Sequence, residues 1–182
     1  MNTDKKQTFS VIDFYANKTI LITGSTGSIG KLLLEKLLRE CSEVKRIYLL
    51  IRSKKSLSSQ QRLKNMFSSS LIFDHQSLDK VYAIDGDICQ DNLGISDEDY
   101  QKLCQEVQIV FHSAAYVKFS GVLETFIEQN VKGTDRLMRL CEQMLRLESI
   151  VHVSTAFSNC VQKNIEERIY PPPFDLAKWP DL

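Results

Sequence analysis

Apolar residues recur along this chain in two rhythms. Short unbroken runs, rich in β-branched and aromatic residues, predict five strands: TILIT at 19–23, RIYLLI at 46–51, KVYAI at 80–84, QIVFHSAA at 108–115 running into a loop, and SIVHVST at 149–155. Between them, apolar positions fall at three- and four-residue steps. SIGKLLLEKLLRE (28–40) is a helix with Leu33, Leu34, Leu37 and Leu38 toward a core. QQRLKNMF (60–67) and DEDYQKLCQEV (97–107) are shorter helices, and VLETFIEQNVKGTDRLMRLCEQML (122–145) is one long helix. Strand and helix alternate five times, the pattern of an α/β fold: an open, doubly wound parallel sheet with helices on both faces. Its four complete strand–helix–strand units cross over right-handedly. Residues 1–16 read as an arm and 17–182 as one incomplete domain; the stretch after 155, with PPP at 171–173, carries no regular pattern.

The first strand runs into three glycines spaced every third residue, Gly24, Gly27 and Gly30, and these run directly into the first long helix. A glycine pattern alone says little, but strand, glycines and helix in that order form the phosphate turn of a Rossmann-type dinucleotide site. Missing side chains let backbone N–H groups approach a pyrophosphate, and the positive end of the helix faces the same anion. A nucleoside-triphosphate loop, G-x-x-x-x-G-K-[ST], is excluded by spacing, because Ser25 and Leu32 stand where glycine and a hydroxyl residue belong.

An NAD site places an acidic residue about 20 positions beyond the glycines to hold the ribose hydroxyls. Here the stretch is LLIRSKK, so Arg52, with Lys54 and Lys55 beside it, favours a 2′-phosphate and therefore NADPH over NADH. A solvated basic loop is the bland alternative.

Charge narrows the remaining classes. The 23 basic residues equal the 23 acidic ones, so no net field draws the chain to nucleic acid or to an anionic membrane. The five cysteines are odd in number and lack CxxC spacing, which fits free thiols in a reducing, intracellular setting and neither a disulfide frame nor a metal site. No apolar run reaches the ~20 residues of a membrane span, and the polar N-terminus is not a secretory signal.

Taken together, ILITGSTGSIGKLLLEKLL, IYLLIRSKK, GDI at 86–88, FHSAAYVKF at 111–119, NVKGT at 130–134, VHVSTAFSNC at 151–160 and IYPPPFD at 169–175 resemble the fatty acyl-CoA reductases, a group within the extended short-chain dehydrogenase/reductases. The resemblance runs from about Tyr15 to Asp175. One departure is Ser28, where that family more often has a bulky apolar residue; its hydroxyl can cap the helix or touch phosphate.

The resemblance implies that Gly24, Thr26, Gly27, Ser28, Ile29 and Gly30 cradle the pyrophosphate and that Arg52 binds the 2′-phosphate. It places Asp87 and Ile88 at the adenine and Ser113, Ala114 and Ala115 under the ribose and phosphates. Thr155, with Ser154 beside it, matches the catalytic hydroxyl that donates to the substrate oxygen, although a Ser–Thr pair closing a strand is more often a turn cap. Asn130, a poor mid-helix residue, matches one that organises a catalytic water and lysine, and Gly133 permits close helix packing. His112 reads as a hydrogen-bonded structural histidine rather than a base.

The implied activity of a complete enzyme is reduction of a long-chain fatty acyl-CoA, through an aldehyde, to a fatty alcohol with two NADPH. Full-length members are membrane-associated, at the endoplasmic reticulum or peroxisome. The Tyr-x-x-x-Lys pair that such reductases use is not found in these 182 residues: none of the six tyrosines has lysine four positions on. The chain therefore reads as the front part of a longer enzyme, with little or no turnover alone and with an uncovered sheet edge that invites self-association. Two other readings stand beside this one: another extended reductase or epimerase, and a non-catalytic NADP-binding short form.

Overall fold

A computed structural model of the chain describes residues 10–54, 56–69, 72–73 and 75–171. Five strands form one parallel sheet: β1 (Thr19–Thr23), β2 (Arg46–Ile51), β3 (Val81–Asp85), β4 (Ile109–His112) and β5 (Ser149–His152). Their spatial order is β3-β2-β1-β4-β5. The chain builds outward from β1 through β2 to β3, then crosses back to place β4 on the other side of β1. The direction of winding thus reverses between β1 and β4, and ligands of open α/β sheets bind in the crevice beyond the strand ends at such a reversal.

Strand alternation divides the core between two faces. Ile20, Ile22, Ile47, Leu49, Ile51, Ile109 and Phe111 face one layer, where α2 (Ser28–Glu40) buries Leu34, Leu37 and Leu38 and α3 (Ser59–Ser68) buries Leu63, Met66 and Phe67. Leu21, Tyr48, Leu50, Ile84 and Val110 face the other, against Leu103 and Cys104 of α4 (Asp97–Glu106) and Leu137, Leu140 and Cys141 further on. Because both faces of a parallel sheet are covered, β1 is buried at every position and reads in the sequence as an uninterrupted apolar run. Leu34 is fully buried. Leu34→Ala is expected to lower unfolding stability by about 3 kcal/mol, read from urea denaturation.

The structure differs from the sequence expectation in four places. The third strand is shifted one residue toward the C-terminus, to Val81–Asp85. The fifth stops at His152, so Ser154 and Thr155 lie in the turn beyond it. The predicted helix over 122–145 is divided into α5 (Leu123–Phe126), a wide π-helical segment (Ile127–Lys132) and α6 (Gly133–Glu142). Within the stretch read as an arm, Val11–Tyr15 forms a short helix, α1, capped by Ser10, and Phe14 and Tyr15 pack on the first core layer. Of the PPPFD stretch, residues 172–175 lie outside the described residues.

Candidate functional site

The glycine turn between β1 and α2 is built by close approach. Gly24 has φ +72°, in the left-handed region, and a Cβ there would stand 2.6 Å from the backbone of Ser113 and Ala114. A Cβ on Gly30 would meet Gly24 O at 2.5 Å and Ser25 Cα at 2.7 Å. Gly27 is different: its Cβ would meet only Gly24 O, at 3.3 Å. Gly27 is the N-cap of α2, and no side chain caps that helix start. The hydroxyl of Ser28 therefore does not cap the helix, contrary to one of the two roles open to it from sequence. Beside the turn, the buried Ser25 hydroxyl is without a hydrogen-bond partner among the described residues.

All twelve residues expected at the cofactor line one cleft of about 480 Å³. The turn contributes Gly24, Thr26, Gly27, Ser28, Ile29 and Gly30; the end of β2 contributes Arg52; Asp87 and Ile88 follow β3; Ser113, Ala114 and Ala115 follow β4. Gly133 allows the Ile88 wall its position, since a Cβ there would press on the Ile88 side chain at 3.1–3.2 Å.

Sequence reading missed Arg62 and Gln129, which also line the cleft. Arg62 stands in the first turn of α3, whose start is set by a reciprocal capping box between Ser58 and Gln61. Its guanidinium donates to the backbone carbonyl of Arg52. With Lys54 this puts three cations at the end of β2. The loop carrying Arg52 and Lys54 is pinned by Asp85, which accepts from the Ser53 amide at 3.2 Å and from the Ser53 hydroxyl at 2.9 Å. Arg52 also faces Asp87 across 3.5 Å. The legible signal for Arg62 was a capping box that begins six residues after Arg52.

The floor of the cleft hangs on Thr23, the last residue of β1. Its carbonyl accepts from the Ser113 hydroxyl at 2.7 Å, and its hydroxyl accepts from the Ala114 amide at 3.2 Å. His112, fully buried, bonds through Nδ1 to the Thr23 hydroxyl at 2.7 Å and through Nε2 to the Thr134 hydroxyl at 3.1 Å. Burial, assisted by the neighbouring His152, pushes the His112 pKa down to about 4. It is the hydrogen-bonded histidine that the sequence predicts.

The three catalytic candidates do not join the cofactor set. Ser154 and Thr155 are exposed, and neither lines the cleft. The Thr155 hydroxyl accepts from the Phe157 amide at 3.2 Å, the geometry of a turn cap. Asn130 also stands off the cleft: its amide clamps the backbone of Tyr116, accepting from Tyr116 N at 2.7 Å and donating to Tyr116 O at 3.1 Å. That clamp lies in the π-helical segment, beside Gln129, which lines the cleft.

Comparison with known proteins follows the same lines. The sequence profile of the family described as Male sterility protein, an NAD-binding domain, matches residues 22–180. The chain belongs to this family. It is 43% identical over 174 residues to fatty acyl-CoA reductase 1 of Xenopus laevis, covering 93% of this chain and 34% of that protein. It is 40% identical over 170 residues to fatty acyl-CoA reductase 2 of Bos taurus, covering 91% and 33%. Among solved structures it matches the terminal R domain from the myxalamid PKS-NRPS biosynthetic pathway, with a TM-score of 0.68 and 34% identity over 79% of this chain and 36% of that one. The chain spans about a third of the length of the curated relatives it matches. Its fold is that of NAD(P)-binding Rossmann-type reductase domains. No helix among the described residues of this family member is long and apolar enough to cross a membrane.

Proposed function

We propose that this chain binds NADPH and forms the cofactor-holding part of a fatty acyl-CoA reductase that converts a long-chain acyl-CoA to an alcohol. The observation that carries the reading is one cleft with a close-packed glycine turn and an uncapped helix start along one wall and three cations near the end of β2. The names of the relatives support the acyl-CoA substrate.

The residues present fit the cofactor. Backbone groups of Gly24–Gly30 can approach a pyrophosphate as closely as the absent Cβ atoms allow, and the helix start favours its charge. Arg52, Lys54 and Arg62 are the right donors for a 2′-phosphate, since guanidinium groups pair with phosphate oxygens in a fork. Ile88 offers an apolar wall and Asp87 an acceptor to the adenine. When bound, NADPH supplies a hydride to the thioester carbonyl carbon. In this reading the Thr155 hydroxyl, with Ser154 beside it, donates to the oxygen as charge builds there, and Asn130 helps organise a catalytic water and lysine of the complete enzyme.

The test is nucleotide titration of the full chain by fluorescence. NADPH is expected to bind at least about tenfold more tightly than NADH, and Arg52→Ala and Arg62→Ala should each weaken NADPH about tenfold with NADH little changed. Equal affinity for the two nucleotides would remove the preference for NADPH. Binding of neither would remove the cofactor reading.

A further inference from the structure

The hydrogen bonds around His112 have one consistent direction. The Thr134 hydroxyl donates to the carbonyl of Asn130 at 2.8 Å, so in its 3.1 Å contact with His112 Nε2 it must accept. Nε2 therefore carries the proton of a neutral imidazole, and Nδ1 accepts from the Thr23 hydroxyl. With its proton given to Nδ1, Thr23 Oγ1 keeps a lone pair for the Ala114 amide. Four bonds then run head to tail, from the Ala114 N–H through Thr23, His112 and Thr134 to the Asn130 carbonyl.

One end of this chain stands at the cleft and the other stands beside it. Ala114 lines it, and Asn130 is next to Gln129, which also lines it. The middle crosses three elements: β1 where it becomes the glycine turn, β4, and the junction of the π-helical segment with α6. A π-helical turn breaks the regular ladder of backbone bonds, so side chains near it can take part in its hydrogen bonding. Here Thr134 takes the Asn130 carbonyl, and the Asn130 side chain is committed to Tyr116.

We propose that His112 is a positioning residue for the nucleotide cleft, tying the root of the glycine turn to the π-helical segment so that Ala114 and Gln129 are set together. The inference rests on the reading of the cleft as an NADPH site. His112 touches no ligand in this role; it acts through Thr23 and Thr134. An imidazole is suited to it because one ring nitrogen accepts and the other donates, at opposite ends of a rigid plane.

The experiment uses the full chain with NADPH as probe. Thr134→Val removes the far end of the relay at a residue that does not line the cleft, and Thr134→Ser restores the hydroxyl. Thr134→Val is expected to weaken NADPH binding about tenfold and Thr134→Ser to recover most of that loss. His112→Phe should weaken binding at least as much. In the ¹⁵N spectrum of the wild-type chain at neutral pH, the His112 ring should show a protonated Nε2 and a bare Nδ1. Variants that melt at lower temperature yet bind NADPH with wild-type affinity would overturn the proposal, as would the opposite tautomer. Failure of the wild-type chain to bind NADPH would instead remove the nucleotide reading on which the inference stands.

Discussion

Gly24→Ala is expected to abolish useful NADPH binding, raising Kd more than about 100-fold, and to destabilise the fold at the same time. The two effects have separate causes. At φ +72° an alanine costs about 1–3 kcal/mol of backbone strain. Its Cβ would also stand 2.6 Å from the Ser113 and Ala114 backbone, so the end of β1 and the loop after β4 would have to part. That parting breaks the Ser113 and Ala114 bonds to Thr23 and opens the floor of the cleft. Gly27→Ala is the matched comparison, because its Cβ meets a single backbone atom at 3.3 Å and has an ordinary φ. It should change stability by less than about 1 kcal/mol while still crowding the nucleotide. Urea denaturation and NADPH titration of both variants decide the matter; a Gly24→Ala chain binding within a few-fold of wild type would show that the turn does not hold the cofactor.

Acidification should unfold this chain partly through His112. Its pKa is about 4 in the folded state and near 6.5 in an unfolded chain, because burial, with His152 5.1 Å away ring to ring, disfavours the cation. The unfolded state therefore binds the proton more tightly, and stability falls as pH drops from about 6.5 to 4. Over pH 7 to 5 this one group contributes a loss of about 2 kcal/mol. Glu106 moves stability in the same direction: burial raises its pKa, but the hydrogen bonds from Tyr48 and Arg46 outweigh that and lower it. The His112 share is isolated by difference. A His112→Gln chain, less stable at pH 7, should lose about 2 kcal/mol less than wild type on going to pH 5. Equal losses in the two chains would mean that His112 is not held neutral.

How much of the site was legible depended on whether a residue's role is local. Gly24, Gly27 and Gly30 announce themselves because strand, turn and helix are contiguous in sequence, and Arg52 because it ends a strand. The structure gathers these with Asp87, Ile88 and Ser113–Ala115 around one cleft. Arg62 escaped notice because what aims it is the Ser58–Gln61 cap and a carbonyl ten residues away. Gln129 escaped because a continuous helical period over 122–145 hides the π-helical segment, in which Asn130 clamps Tyr116, fourteen residues upstream. Thr155 was read as the end of a strand, but pairing with β4 stops at His152, and the hydroxyl accepts from the Phe157 amide in the turn beyond.

By itself the sequence determined the fold class, the glycine turn and the family. Apolar periodicity sets which faces must be buried, and covering both faces of a parallel sheet leaves few arrangements. Only the tertiary structure decided the order β3-β2-β1-β4-β5, the cleft at its reversal and the relay from Ala114 through His112 to Asn130. Periodicity records burial along one element at a time. Where two elements meet, single hydrogen bonds and the space of one Cβ choose the geometry, and neither leaves a repeating mark along the chain.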